Sequence, residues 1–151
     1  MTERFVRTLD VAAPVETLWA FHERPDAFAL LQPPWERFEV ILPPRSLEVG
    51  TRVEVRAWIG PFPTTIVAEH VAYERGKLFA DRMLAGPFRS WLHRHRFESR
   101  EGGGSRLIDD IEYELPLGWL GRTFGAGLAR RRLERLFEHR HRITRSFCEE
   151  R

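Results

Sequence analysis

Residues 89–99 read Arg-Ser-Trp-Leu-His-Arg-His-Arg-Phe-Glu-Ser, and residues 105–115, beyond Gly102-Gly103-Gly104, read Ser-Arg-Leu-Ile-Asp-Asp-Ile-Glu-Tyr-Glu-Leu. Both runs alternate. Side chains of a strand point to opposite faces at a period of two, so the first run sorts into Trp91, His93, His95 and Phe97 against Arg94, Arg96 and Glu98. The second sorts into Leu107, Asp109, Ile111, Tyr113 and Leu115 against Ile108, Asp110, Glu112 and Glu114. The charged set of each run belongs in water, which assigns both histidines and Asp109 to the enclosed face. The glycine triplet between the runs reads as a hairpin turn.

The same period extends outward. Strands are expected at 36–42, 51–59, 64–74, 78–84, 89–99 and 105–115, broken at Pro43-Pro44, Gly60-Pro61, Gly76, Gly86-Pro87 and Gly102–Gly104. Breaks of that composition describe an antiparallel meander. Upstream, Phe5–Val11 alternates as a first strand. Pro14 then opens a short helix to about Glu23, and a second around Asp26–Leu31 stops at Pro33-Pro34. After Leu115-Pro116 the period turns helical, and residues 120–147 carry Leu133, Leu136, Phe137, Ile143 and Phe147 on one side. One helix cannot cover both faces of a seven-stranded sheet. An α+β arrangement follows, a curved antiparallel sheet wrapped around a long C-terminal helix, with one wet face and a gap between helix and sheet.

Composition sets the bounds. A chain of 151 residues with 42% apolar content suits one domain, 1–151, with a single core. No stretch approaches the roughly 20 apolar residues that cross a bilayer, and the polar start lacks the apolar core of a secretion signal. A cytoplasmic location without membrane insertion is expected. Cys148 is the single cysteine, which excludes an intramolecular disulfide and a cysteine zinc cluster. Net charge is +2, and all basic residues but Lys77 are arginine, a bias spread along the whole chain. The run Arg130–Arg132 is interleaved downstream with Glu134 and Glu138, so a solvated helix face is favoured over a nucleic-acid site.

The enclosed face carries the chemistry. The simplest register sets His95 opposite Asp109 and Trp91 opposite Tyr113. On strand 78–84, Phe79, Asp81 and Met83 share that side, and the Gly86-Pro87 turn brings Asp81 near His93. On the last helix Arg140 falls in the middle of the apolar arc, where it needs a carboxylate or a ligand anion. His93, His95, Asp81, Asp109 and Arg140 are therefore expected as one polar cluster in an apolar cavity. His139 and His141, two apart on a helix, point to nearly opposite sides and are left outside it. His93 and His95 with Asp81 or Asp109 have the residue types of a metal site, but a hydrogen-bonded pair is the reading adopted, with no metal or cofactor expected.

The order of elements resembles the helix-grip fold of START-like (SRPBCC) proteins. The stretch Phe79-x-Asp81-x-Met83-x-x-Gly86-Pro87-Phe88-x-x-Trp91-x-His93-x-His95-x-Phe97, then Asp109 to Tyr113, Leu115-Pro116, Gly121 and Phe137-x-x-Arg140, is similar to a bacterial branch of the polyketide cyclase/dehydrase and lipid-transport superfamily. The resemblance covers essentially the whole chain and implies a cavity for a hydrophobic ligand between helix and sheet. Its wall is expected to draw on Phe79, Met83, Phe88, Trp91, Phe97, Ile111, Tyr113, Phe137 and Arg140, ordinary core packing being the alternative for each aromatic, as for Trp58 and Trp119. Loops 60–63 and 86–88, with the Trp35 region, are the expected rims, and Phe62 and Phe88 the gating side chains. Three functions stay open. One is a carrier or sensor of a small hydrophobic or aromatic ligand. Another is a cyclase or dehydratase using His93 or His95 as proton shuttle, oriented by Asp81 or Asp109, with Arg140 steadying enolate charge. The third is an interaction module that meets RNA or a ribosome through the basic helix face.

Overall fold

A computed structural model describes residues 2–150, apart from the side chains of Trp119 and Arg122. The expectation for Trp119 thus lies outside the described residues. The elements are β1 (Glu3–Val11), α1 (Val15–Glu23), α2 (Ala27–Leu30), β2 (Phe38–Leu42), β3 (Arg52–Ile59), β4 (Phe62–Glu74), β5 (Leu78–Ala85), β6 (Ser90–Ser99), β7 (Ser105–Glu114) and α3 (Trp119–Glu149). All seven strands join one antiparallel sheet in the order β1-β7-β6-β5-β4-β3-β2. Neighbours in sequence are thus neighbours in space from β2 to β7, and β1 returns to lie beside β7. The sheet packed against one long C-terminal helix that the periodicities indicate, and that the resemblance to the helix-grip fold implies, is what forms.

Local chemistry explains the boundaries. Gly102 and Gly103 both take positive φ, 84° and 89°, a region that side chains with a Cβ avoid. The backbone N–H of Arg100 can therefore donate to the Gly104 carbonyl at 2.8 Å, and Ser99 lies opposite Ser105 at the end of the ladder. At Gly60, with φ 61°, a two-residue turn pairs Ile59 directly with Phe62. This tight turn starts β4 two residues earlier than the alternation alone indicates.

The face away from α3 is charged. Asp110 points that way, yet it is nearly inaccessible because Arg4 and Arg96 roof it with N–H···O bonds of 2.9 and 2.8 Å. The Arg4 hydrogen bond is the largest cause that holds its carboxyl down to about 2. Hydrogen bonds from Arg106 also lower the Asp10 carboxyl from its ordinary value.

The face toward α3 is the core, in two parts. Beneath α1, Leu18, Trp19 and Phe21 pack on Leu9, Val11, Phe79, Phe97 and Leu107. Nearer the start of α3, Leu133 and Phe137 pack on Phe5, Ile111, Tyr113 and Leu115. With 31 residues α3 runs about 46 Å along the sheet. Its buried stripe is Leu133, Phe137, His141, Thr144 and Cys148, while Phe147 is 41% exposed. The stripe therefore sits slightly to one side of the arc read from apolar residues alone. Two polar residues lie on it because both are satisfied there, His141 by Asp109 and Thr144 by the Arg140 carbonyl. Several arginines of the outer side pair with acids of the same chain, Arg130 with Glu134, Arg132 with Glu36 and Arg145 with Glu149. Among the described residues no helix is long and apolar enough to cross a membrane.

Candidate functional site

Strands β5, β6 and β7 meet in the register that keeps their apolar faces together. His95 lies opposite Asp109 and Trp91 opposite Tyr113, while Asp81 lies opposite His93. The side-chain hydrogen bonds, however, run diagonally. His93 Nε2 donates to Asp109 Oδ1 at 2.7 Å, and His95 Nε2 donates to Asp81 Oδ2 at 3.0 Å. His95 Nδ1 also lies 3.3 Å from Asp109 Oδ1. The register alone couples each histidine to the acid directly across from it. Side chains lean along the strand, however, and a diagonal neighbour is within reach of an imidazole. The lean also stacks the two rings on each other at 3.6 Å and lays Phe79 over His95 at 3.9 Å.

A third histidine completes the network from α3. His141 Nε2 donates to Asp109 Oδ2 at 2.6 Å and is 5% exposed, so it belongs to the cluster, contrary to the expectation from sequence. The signal for it lies in the spacing. His141 is four residues past Phe137 and three before Thr144, hence on the same face of the helix. His139 lies apart from this network, packed edge-on against Trp35 at 5.2 Å. Arg140 approaches from the side of α3, its guanidinium 5.3 Å from the centre of the Phe137 ring. Asp81 and Asp109 are the acids expected from sequence to partner it, but among the described residues neither is within ion-pair distance. Its Nε is buried without a hydrogen-bond partner.

Burial and pairing set the charges. Burial opposes ionisation of Asp109, but hydrogen bonds from His141, His93 and His95 outweigh it and hold the carboxyl well below the usual carboxylate range. Asp81 is also lowered against the cost of burial, chiefly by the His95 hydrogen bond. For His95, burial works against the imidazolium, but the hydrogen bonds to Asp109 and Asp81 win and raise it. His93 goes the other way. Burial, then repulsion from His95, lowers it despite Asp109. Neighbouring imidazoles two residues apart on one strand are thus poised in opposite directions, His95 toward the acid form and His93 toward the neutral form.

A cavity of about 320 Å³ opens between α3, the two short helices and the sheet. Of the residues expected at the site, Asp81, His93, His95, Asp109, Phe79, Met83, Phe88, Trp91, Phe137 and Arg140 line it. Phe97, Ile111 and Tyr113 do not. They are packed in the two core clusters, Phe97 against the edge of Trp19 and Ile111 and Tyr113 under α3. The 86–88 turn contributes Pro87 and Phe88 to the lining and the Trp35 region contributes Pro33 and Glu36, with Trp35 itself packed against His139 and Arg135, whereas Phe62 projects into solvent. Residues of α1, α2, β3 and β4 join the wall without having been expected there. His22, Ala27, Phe28 and Leu31 come from the helical side, and Val53, Val55, Ala68 and His70 from the sheet. These side chains are apolar or buried histidine, and nothing in their spacing separates a wall from a filled core.

Asp81, His93 and His95 each offer a potential ligand atom, all within 4.8 Å of one another. A metal there would have to displace hydrogen bonds that already satisfy the donors and acceptors, the 3.0 Å bond between His95 and Asp81 first.

Comparisons with known proteins agree with this architecture. The model of the family described as polyketide cyclase / dehydrase and lipid transport matches residues 11–137. Among solved structures the chain is similar to norcoclaurine synthase from Thalictrum flavum, with a TM-score of 0.71 at 16% identity over 99% of this chain and 88% of that one. Another structure of that enzyme is a complex with dopamine and hydroxybenzaldehyde. It is also similar to TTHA0849 from Thermus thermophilus, with a TM-score of 0.66 at 20% identity over 95% and 97% of the two chains. A nucleoside-diphosphate sugar epimerase from Corynebacterium glutamicum gives 0.71 at 22% identity, over 94% of this chain and 28% of that one. At these identities the likeness carries the fold alone. No curated protein matches the chain.

Proposed function

The chain belongs to the polyketide cyclase/dehydrase and lipid transport family, and from that premise we propose that it is a cytoplasmic carrier or sensor of one small hydrophobic or aromatic molecule. The observation that carries this reading is the cavity. Its volume of about 320 Å³ is at the lower end of the range for small-molecule sites, and Phe28, Leu31, Met83, Phe88, Trp91 and Phe137 give it an apolar wall around a few convergent polar groups. The complex of norcoclaurine synthase with dopamine and hydroxybenzaldehyde supports a flat aromatic guest, since the two proteins share the fold. Native mass spectrometry of protein purified from its host tests the proposal. One retained small molecule per chain, released on denaturation, is the expected result. A chain at its bare mass that also takes up no aromatic probe contradicts it.

The histidine–aspartate network favours a second reading, acid–base turnover of the same guest. His95 is held toward its protonated form by Asp109 and Asp81, and His93 beside it is held toward its neutral form. Such a pair serves as proton donor and proton acceptor in an enolisation, cyclisation or dehydration. The variant with His93→Gln and His95→Gln together separates the two readings. Binding without turnover in the wild type supports the carrier. Turnover that vanishes in the double variant supports the enzyme.

A further inference from the structure

Among the described residues three buried side-chain nitrogen atoms lack a hydrogen-bond partner: Trp19 Nε1, His70 Nδ1 and Arg140 Nε. Trp19 lies in the packed core, but His70 and Arg140 both line the cavity. Arg140 is the more demanding of the two. A guanidinium carries five N–H donors and no acceptor, and it keeps its charge at any pH the protein meets. A buried cation needs a counter-charge within reach.

The acids that face Arg140 are committed elsewhere. Asp109 spends one oxygen on His93 and the other on His141, at 2.7 and 2.6 Å. Asp81 accepts from His95 at 3.0 Å. Glu36, the remaining acid whose charge reaches Arg140, accepts from Arg132 at 2.9 Å. These three attract the guanidinium at a distance, and none binds it. The imidazoles turned toward Asp81 and Asp109 also shield an incoming group from their negative charge. Beside the guanidinium the wall is apolar, with Leu136 and Phe137 on the same helix and Phe88 and Trp91 among the other lining residues. Of the three arginines that line the cavity, Arg24 is paired with Asp26 and Arg45 is exposed, so Arg140 is the cation set among the apolar wall, with the neighbouring acids already occupied.

We propose that Arg140 receives a carboxylate carried by the ligand, so that the molecule this cavity takes is an apolar or aromatic carboxylic acid. This rests on the reading of the cavity as a ligand site, and it adds a binding subsite with a defined chemistry. The guanidinium meets a carboxylate through two parallel N–H···O bonds, a geometry that a neutral carbonyl cannot match.

A matched pair of probes tests it: 2-naphthoic acid and 2-acetylnaphthalene, which share the ring system and carbonyl and differ by a carboxylate oxygen in place of a methyl group. Isothermal titration of the wild-type chain at pH 7.5 is expected to show the acid binding roughly tenfold tighter or more, the usual advantage of a charge-assisted over a neutral hydrogen bond. In Arg140→Gln the preference for the acid over the ketone collapses. Arg140→Lys, which keeps the charge without the fork, retains part of the preference. Equal affinity of the wild type for both probes overturns the proposal, with or without a folded variant, and leaves the cavity reading intact. A preference undiminished in a folded Arg140→Gln chain also overturns it. Failure of the wild type to bind either probe overturns the cavity reading, and the proposal with it.

Discussion

Replacing Asp109 with asparagine removes one negative charge from the centre of the network while keeping the shape of the side chain. In the native chain the carboxylate is 3% exposed and accepts from His141 at 2.6 Å and His93 at 2.7 Å, with His95 Nδ1 3.3 Å away. An amide has one acceptor oxygen. Its NH₂ must face a ring N–H, so one of the short bonds is lost, and the proton on His95 loses half of its compensation. Hydrogen bonds to charged groups contribute about 1.5–3 kcal/mol each, and removing one partner of a buried ionic pair costs about 3–5 kcal/mol. Taking the lower end, because the amide keeps one bond, gives a loss of about 3 kcal/mol at pH 7. For a domain of this length that lowers the melting temperature by about 6–12 °C. The pH dependence fixes the cause. The native carboxyl is held well below its value in the unfolded chain, so its stabilising contribution is full above about pH 4 and disappears as pH falls through the unfolded value toward the native one. The gap between wild type and Asp109→Asn therefore narrows with acid. Urea titrations followed by tryptophan fluorescence at several pH values between about 7 and 3 measure it. A gap below about 1 kcal/mol at pH 7, or one that stays constant into acid, refutes the reasoning.

Other consequences can be checked separately. His22 donates through Nδ1 to the Leu18 carbonyl at 2.8 Å, and burial pushes its pKa down to about 4. The unfolded chain takes up that proton first as pH falls below about 6.5, so stability declines by up to about 3 kcal/mol between pH 6.5 and 4. In His22→Leu the decline over that window is shallower by this amount, and parallel curves for the two chains contradict the assignment. Ala68 lies on the sheet side of the cavity, and Ala68→Trp is expected to fill the hollow with little loss of fold while weakening aromatic-probe binding at least tenfold. Unchanged binding places the guest elsewhere. A Cβ at Gly121 runs into the carbonyl oxygen of Pro116, so Gly121→Ala forces the junction between β7 and α3 apart and costs about 2 kcal/mol in urea denaturation. A neutral effect means that this junction yields.

Much of this is legible in the chain because strand alternation is a rigid rule. Once Arg94, Arg96 and Glu98 are sent to water, His93 and His95 have one face left, and the pairing of Trp91 with Tyr113 and of His95 with Asp109 follows from keeping both apolar faces together. Helical stripes are less strict. Reading α3 by its apolar residues alone gives Phe147 an inward place that Cys148 holds, and passes over His141, whose burial depends on Asp109 from a distant strand. The diagonal bonds are out of reach for a similar reason, since they depend on how side chains lean, which register does not set. The division between cavity wall and packed core is the least accessible. Phe97 and Phe88 look alike in sequence, and Trp19 from α1 fills the space above one of them, while the other is left at the rim.

The proposed function depends on a molecule occupying the space between α3 and the sheet. A crystal structure of the wild-type chain soaked with 2-naphthoic acid measures this most directly. The predicted result is density for the ring against Phe88, Trp91 and Phe137, with the carboxylate on the Arg140 guanidinium. A collapsed, side-chain-filled interior, or a probe found on the charged outer face of the sheet, contradicts it.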